Sequence, residues 1–421
     1  MKGRIATVMV HSSPLDQAGV GDAGGMNVYV VESAKKMAAA GVEVDIFTRA
    51  TDPHLPQTVS IADGVTVRNI EAGPIASLSK EELPSQLGAL THGMMEIIHS
   101  LPANYYSILH SHYWISGQLG WMVSEQTGIP LVHTMHTMAK VKNQFIADGD
   151  MPEPTIRAFG EEQIVKNAAG LIANTDAEAA SLVSLYGADP DKVFVVTPGV
   201  DLNTFTVGAG KAAAREKLNI APDALMLTFV GRIQPHKGPE VLVRAVAEMV
   251  HHAAHLRAKL ALVIIGGASG SGLKEPARLE ALAQFLGVSD IVHFITPVDR
   301  DVLPDWYRAS DLVCVPSYSE SFGLVALEAQ ACGTPVVATA VGGLRTAVAD
   351  GISGSLVDGH DPKAWSAVIS RLLADPAHRI ALSMGATQHA SHFGWGSTAR
   401  KTLDVYDHVL SAGSKSSIKL A

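Results

Sequence analysis

The chain of 421 residues is 47% hydrophobic and 17% charged, which excludes a disordered chain. Single cores stop growing at about 250–300 residues, so two domains are expected. A net charge of −9 excludes a general nucleic-acid or membrane-surface binder, so any anionic ligand must be held by local cations. The two cysteines, Cys314 and Cys332, lie in a buried-type strand and at a helix end without zinc spacing, which reads as reduced thiols in a cytoplasmic protein.

Ile5–Val10 is apolar but too short for a signal-peptide core, and no apolar run approaches a membrane span. It reads as a buried parallel strand, followed by a glycine-bearing turn, a helix opening at Gly24-Gly25-Met26-Asn27, and a strand over Val42–Thr48. The turn is not a G-x-G-x-x-G fingerprint, which weakens a dinucleotide oxidoreductase; Asp22-Ala23-Gly24-Gly25 at a helix start suits close approach by a phosphate, or else is merely a flexible turn. Strands are expected at Val59–Ile61 and Val65–Ile70 and a helix over Glu82–Ser100, with Lys80 in the polar loop before it. The strand ends Ile108–His112 and Leu131–Thr134 carry Tyr113 and His136-Thr137, which places His112, Tyr113, His136 and Thr137 at one crevice, since ligands of open parallel sheets bind outside the carboxyl ends of strands. His110 and His133 read as core-facing. A helix over Pro154–Lys166 carries Arg157, Gly170–Asn174 and Val193–Val196 are strands, and the turn Thr197–Asp201 is the expected domain boundary.

A second alternating run starts at the strand Leu225–Val230, whose end carries Arg232 and Lys237 before the helix Pro239–His252. Strands at Leu260–Ile265 and Ile291–Phe294 and helices at Pro276–Leu286 and Asp301–Arg308 lead into Asp311–Ala338, read as strand, turn, helix, strand. Ser319 or Ser321 is the expected helix cap, and free N–H groups there would attract a diphosphate. Glu320 and Glu328 are separated by roughly 12 Å at the helical rise, too far for paired acid–base hydrolysis but suited to an elongated ligand gripped at two points. The competing reading makes Glu320 a solvated loop charge and Glu328 an ordinary surface residue. The turn Ala340–Gly343 follows, then helices near Pro362–Leu373 and Pro376–Ala390.

The expected organisation is α/β: a Rossmann-like domain over 1–198, a second over 199–392, a helix over 393–410 that could pack back on the first domain, and a disordered small-residue tail over 411–421. Two such halves, with Gly231-Arg232, Lys237, Glu320, Glu328 and Gly342-Gly343 in the second, resemble the GT-B fold of retaining nucleotide-sugar glycosyltransferases. In the first half Gly21–Tyr29, Leu78–Pro84, His110–Trp114 and His133–Thr137 are similar to the inositol-phosphate glycosyltransferases of actinobacterial mycothiol synthesis.

That resemblance implies transfer of N-acetylglucosamine from its uridine diphosphate to 1D-myo-inositol 3-phosphate, with retention. It gives Arg232 and Lys237 to the donor diphosphate, Glu328 to the ribose, Glu320 to the sugar hydroxyls, and Gln17, Ala18, Gly25 and Val298 to the donor's surroundings, with His136 orienting the sugar. It gives His11, Asp22, Ala23, Gly24, Gly25, Met26, Asn27, Lys80, Tyr113, Thr137 and Arg157 to the acceptor, Lys80 and Arg157 clamping its phosphate. Ala23 stands where a serine is expected and Val298 where a basic residue can occur, which puts a base contact at 298 in doubt. The family also implies a structural Mg2+ near Tyr307, Arg308, Ser310 and Thr334, although no carboxylate cluster accompanies them; no cofactor is expected to be required for the chemistry. A homodimer is expected, with no nucleic-acid or membrane partner. The alternatives are a transferase with another phosphorylated acceptor, similar to sucrose-phosphate synthase, a nucleotide-sugar epimerase, or a pure nucleotide-sugar binder.

Overall fold

Short runs of Val, Ile and Leu bounded by polar turns are apolar on both faces, and a strand of that kind needs cover on both sides. The computed structural model describes residues 3–17, 19, 21–147, 149–268 and 275–418. Eight strands form the first sheet: β1 (Arg4–Val8), β2 (Glu43–Arg49), β3 (Thr58–Ala62), β4 (Val65–Ile70), β5 (Tyr106–His112), β6 (Leu131–Thr134), β7 (Gly170–Ala173) and β8 (Val193–Val195). Their order is β3-β4-β2-β1-β5-β6-β7-β8. All pairings are parallel except β3 with β4, which is antiparallel at the sheet edge. Six strands form the second: β9 (Leu225–Val230), β10 (Leu260–Ile265), β11 (Val292–Ile295), β12 (Leu312–Val315), β13 (Val336–Thr339) and β14 (Gly354–Val357). Their order is β11-β10-β9-β12-β13-β14, parallel throughout.

Each sheet therefore reverses its winding once, between β1 and β5 and between β9 and β12. A crevice opens at such a switch point outside the strand ends. The turns after β1, β5, β9 and β12 are those carrying His11, Tyr113, Arg232 and Ser317–Ser321. Residues alternate between faces as the pleat requires: Ala6 and Val8 enter one core of the first domain and Ile5 the other, while Leu227 and Phe229 face away from Met226 in the second.

The last helix, Trp395–Ile418, belongs to the first domain. Trp395, Ala399, Val405, Tyr406 and Val409 share a core with Ile5, Val44 and Ile108, and Tyr406 Oη lies 2.6 Å from His110 Nδ1. The chain thus crosses between domains twice, side by side: Val200 N–H donates to the Phe393 carbonyl at 2.7 Å and Thr398 Oγ1 to the Thr197 carbonyl at 2.9 Å. A Cβ at Gly199 would sit 2.5 Å from the Trp395 nitrogen, so only glycine fits between the crossings.

Three expectations need correction. The helix proposed over Glu82–Ser100 divides into a 3-10 turn, Leu83–Gln86, with proline at its start, and an α-helix, Leu87–His99. The chain beyond 410 is not a disordered tail from its first residue: the helix continues through Ile418. The helix in the Glu320 motif begins only at Leu324, capped by Gly323 at φ 103° with no side-chain bond, so neither Ser319 nor Ser321 caps it.

Candidate active site

The turns after β9 and β12 of the second domain meet in a charged notch. After β9 the chain makes a 3-10 turn, Pro235–Lys237, ending at Gly238 with φ 68°, where a Cβ would run into the Pro316 carbonyl. That close packing brings Lys237 against the β12 turn: Lys237 Nζ is 2.6 Å from Glu320 Oε2, which also accepts from Ser317 Oγ at 3.3 Å. Burial pushes the Glu320 carboxyl up, but the charge and hydrogen bond of Lys237 outweigh it and hold the group below the usual carboxylate range. Glu320 is thus an ionised, paired group rather than a solvated loop charge. Glu328 is only 6% exposed and not a surface residue. It accepts from Tyr307 Oη at 3.0 Å and meets Arg300 Nη1 at 3.3 Å; burial still raises its pKa.

The first domain faces this notch with its own cations. Asp22 Oδ1 lies 2.8 Å from Lys80 Nζ and 3.7 Å from Arg232 Nη1, so one carboxylate sits between a cation of each domain. Half-buried His11 packs on Tyr113 at 4.4 Å between ring centroids, and its Nδ1 is buried without a hydrogen-bond partner. Burial, then the charges of Lys80, His136, Arg232 and Arg157, hold the His11 pKa far below its ordinary value, so the ring is neutral. A Cβ at Gly24 would lie 3.6 Å from Arg232 Nε and one at Gly25 3.4 Å from Leu324 Cδ1, which shows how closely the first helix start meets the second domain.

Tyr113 and His136 both have positive φ, 71° and 59°. Such backbone costs roughly 1–3 kcal/mol per non-glycine residue and persists where the surroundings over-determine it. Here Tyr113 N–H donates to the Thr134 carbonyl at 3.1 Å, His136 Nε2 is 2.8 Å from His112 Nδ1, and the His136 carbonyl accepts from Ser321 Oγ of the other domain. Desolvation pushes His136 down to about 3.

Several residues expected to meet the acceptor are occupied with one another. Arg157 is 2% exposed. Its Nε donates to Glu161 at 2.8 Å, Nη1 meets Glu153 at 2.8 Å, Nη2 donates to Thr137 Oγ1 at 2.8 Å, and its face lies 4.9 Å over the Tyr113 ring. Arg157 therefore positions Thr137 and Tyr113 before it could clamp anything. Asn27 spends its amide on the Gly24 nitrogen, at 3.1 Å, and the Ser13 carbonyl, at 2.7 Å, and thereby shapes the loop. Ala23 is buried and Met26 packs on the core. Gln17 reaches Asp299 of the second domain at 3.0 Å, Val298 is half-buried beside Ile265, and Ala18 lies outside the described residues.

The side chains of the residues proposed for a metal ion are engaged with protein partners. Ser310 Oγ is shared between Thr228 Oγ1 and the Trp306 carbonyl, Thr334 Oγ1 donates to the Tyr307 carbonyl, Tyr307 Oη is bound to Glu328, and the Arg308 guanidinium adds positive charge. Among the described residues no His, Cys, Asp and Glu cluster could hold one.

Arg300, Glu161, Asp150 and Ser321 escape a sequence reading. Only Glu161 has a local signal, its i+4 spacing from Arg157 on one helix. Asp150 Oδ2 meets His236 Nδ1 across the cleft at 3.5 Å, a contact between segments distant in sequence.

Residues 24–199 match the glycosyl transferase 4-like domain and residues 210–389 the glycosyl transferases group 1 family. The chain is 56% identical over 404 residues to D-inositol 3-phosphate glycosyltransferase 2 of Catenulispora acidiphila, covering 96% of this chain and 94% of that one. It is 54% identical to the D-inositol 3-phosphate glycosyltransferase of Streptosporangium roseum, covering 96% and 92%. The chain belongs to the D-inositol 3-phosphate glycosyltransferase family. This glycosyltransferase has the GT-B fold: it superposes on sucrose-phosphate synthase from Thermosynechococcus elongatus with a TM-score of 0.89 and 32% identity, over 98% of this chain and 100% of that one. Anabaena HepE in complex with UDP and glucose shares the fold at a TM-score of 0.73 and 21% identity, over 96% and 99% of the chains. The epimerase and pure-binder readings fall away with the transferase family. Among the described residues no helix is long and apolar enough to cross a membrane.

Proposed function

We propose that this glycosyltransferase moves N-acetylglucosamine from UDP-N-acetylglucosamine to a hydroxyl of 1D-myo-inositol 3-phosphate with retention at the anomeric carbon, the first step of mycothiol biosynthesis. The observation that carries this reading is Asp22, held between Lys80 of one domain and Arg232 of the other at 2.8 and 3.7 Å. In a chain of net charge −9 these cations mark a place where two anionic groups can meet, an acceptor phosphate at Lys80 and a donor diphosphate at Arg232 and Lys237.

In the reaction the bond from the anomeric carbon to the diphosphate oxygen breaks, and a bond from the acceptor hydroxyl forms on the same face. The hydroxyl proton passes to the departing diphosphate. Arg232 and Lys237 stabilise the charge that develops there. Glu320 and His136 hold the sugar hydroxyls and Glu328 the ribose. Thr137 and Tyr113, fixed by Arg157, line the inositol side. No metal is needed, because the charge of the leaving group is met by two side-chain cations. The protein is read as working in the cytoplasm as a homodimer, and Met151, Ile156 and Phe159 are exposed apolar side chains available to such a contact; sedimentation at several concentrations tests it.

The decisive experiment measures UDP release from UDP-N-acetylglucosamine with inositol 3-phosphate, unphosphorylated inositol and a phosphorylated hexose, and reads the product's anomeric configuration by NMR. Release with inositol phosphate alone and an α-linked product is expected. Preference for the hexose phosphate, or an inverted product, overturns the reading.

A further inference from the structure

Behind the inositol side of the cleft lies a carboxyl with no exposure at all. Glu161, in the middle of the helix Thr155–Asn167, is 0% exposed, and a charge taken out of water is costly unless its lone pairs find donors. Its donors come from three separate segments. The Ala139 N–H lies 2.9 Å from Oε2 and 3.2 Å from Oε1, Arg157 Nε lies 2.8 Å from Oε1, and the Tyr186 hydroxyl donates to Oε2. Burial and the neighbouring Glu161 charge push the Tyr186 pKa up, so that hydroxyl keeps its proton. It also accepts from the Lys140 N–H at 2.9 Å.

Apolar residues of the same volume often pack as stably as a buried ion pair, so stability alone does not account for these charges. What they hold is the turn after β6. The Ala139 N–H fixes the chain two residues beyond Thr137. Arg157, fixed at Nε by Glu161, brings Nη2 to the Thr137 carbonyl at 3.0 Å and to Thr137 Oγ1 at 2.8 Å, and lays its face 4.9 Å over the Tyr113 ring. Thr137 is therefore held through its own groups and through the chain that follows it, and Tyr113, with φ 71°, is packed from above. One carboxyl that touches neither residue organises both.

A wall set in place before the ligand arrives spares the ordering cost of binding. We propose that Glu161 is a positioning residue for the acceptor: with Arg157 and Tyr186 it pre-organises Thr137 and Tyr113 as a rigid wall for the polyol, while the nucleotide, held by the other domain, is indifferent to it. The inference rests on the acceptor reading given above.

The test measures KM for inositol 3-phosphate at saturating donor and, by calorimetry, the dissociation constant of UDP. Glu161→Gln removes the charge and turns one accepting oxygen into an NH2 that faces other donors. Tyr186→Phe removes a single donor and leaves the Ala139 and Arg157 bonds in place, so it reads the same effect if Glu161→Gln does not fold. KM for the acceptor should rise about tenfold in Glu161→Gln, the value of a hydrogen bond to a charged group, and about threefold in Tyr186→Phe. The UDP dissociation constant should stay within about twofold of wild type in both. A residue that serves only the fold would lower the denaturant midpoint and leave the acceptor KM unchanged, and that result in either folded variant overturns the inference. An equal rise in the UDP dissociation constant overturns it as well. A wild type that prefers a hexose phosphate overturns the acceptor reading alone; KM for that sugar phosphate is then the quantity compared.

Discussion

Lys237 and Glu320 already hold each other at 2.6 Å, so a donor entering between them must compete for the lysine. A cation aimed at a leaving diphosphate gains strength as charge develops, and losing one such group typically costs about 2–4 kcal/mol of transition-state stabilisation. Lys237→Ala should therefore lower kcat by roughly 30-fold to 1,000-fold at saturating donor; wild-type turnover in that variant would remove Lys237 from the chemistry. On the acceptor side Lys80 and Arg157 part company. Lys80 is half-buried, with one carboxylate partner that a phosphate can displace, so Lys80→Ala should raise KM for inositol 3-phosphate about tenfold and leave unphosphorylated inositol almost unaffected. Arg157 sits among two carboxylates, Thr137 and the Tyr113 ring. Removing it strands buried charge, which costs on the order of 3–5 kcal/mol. Arg157→Ala should lower the unfolding free energy by that order and lose activity with both acceptors. An Arg157→Ala protein as stable as wild type, with only KM for the phosphorylated acceptor raised, would restore the clamp.

At the scale of elements, the strands were legible because a strand covered on both faces is written as an unbroken apolar run, as in Leu260–Ile265 and Val336–Thr339. The turns after β5 and β6 were legible as neighbours because their aromatic and histidine side chains stand where a sheet opens, and His112 does meet His136 there. What the sequence hid is tertiary. Ser321 looks like a helix cap but spends its hydroxyl on His136 across the cleft, and nothing local distinguishes the two uses. The same strand ends carry a measurable consequence. His110, His112 and His133 are at most 2% exposed, and desolvation holds all three below their ordinary range, His133 to about 3. They bind protons in the unfolded chain below about pH 6.5 and refuse them in the fold. The stability they contribute is complete above that pH and is lost as pH falls toward the folded values, at roughly 1.4 kcal/mol per pH unit for each histidine. Glu178, raised to about 7, works with the opposite sign between its unfolded value and 7. Half-buried His11, His136 and His236 are depressed in the same way, and together the histidines outweigh Glu178 and Glu328, the buried carboxyls that burial raises, so denaturant midpoints should fall steeply from pH 6.5 to 5; a flat midpoint over that range would mean that these histidines are charged or exposed.

For the whole molecule the consequential feature is that the chain passes between its domains twice at one place. A single linker would let the two halves rotate freely, whereas two crossings joined by the Val200–Phe393 and Thr398–Thr197 hydrogen bonds confine the motion to a hinge. The contacts Gln17–Asp299, Asp150–His236 and Ser321–His136 span the cleft on the far side of that crossing. Gly199 sets the spacing of the crossings, and a methyl there meets the backbone of Gly394 and Trp395 rather than a yielding side chain. Overpacking of this kind costs about 1–3 kcal/mol. The strain would fall on the start of the helix whose Trp395 and Tyr406 complete the first domain's core. Gly199→Ala should therefore lower the denaturant midpoint and raise KM for both substrates together, since donor and acceptor are held by opposite domains. Gly396, three residues beyond Phe393 and with nothing within 4 Å of where its Cβ would be, supplies the control. Gly396→Ala should match or slightly exceed wild-type stability and keep both KM values. If the two alanine variants behaved alike, the paired crossing would not be what fixes the position of one domain on the other.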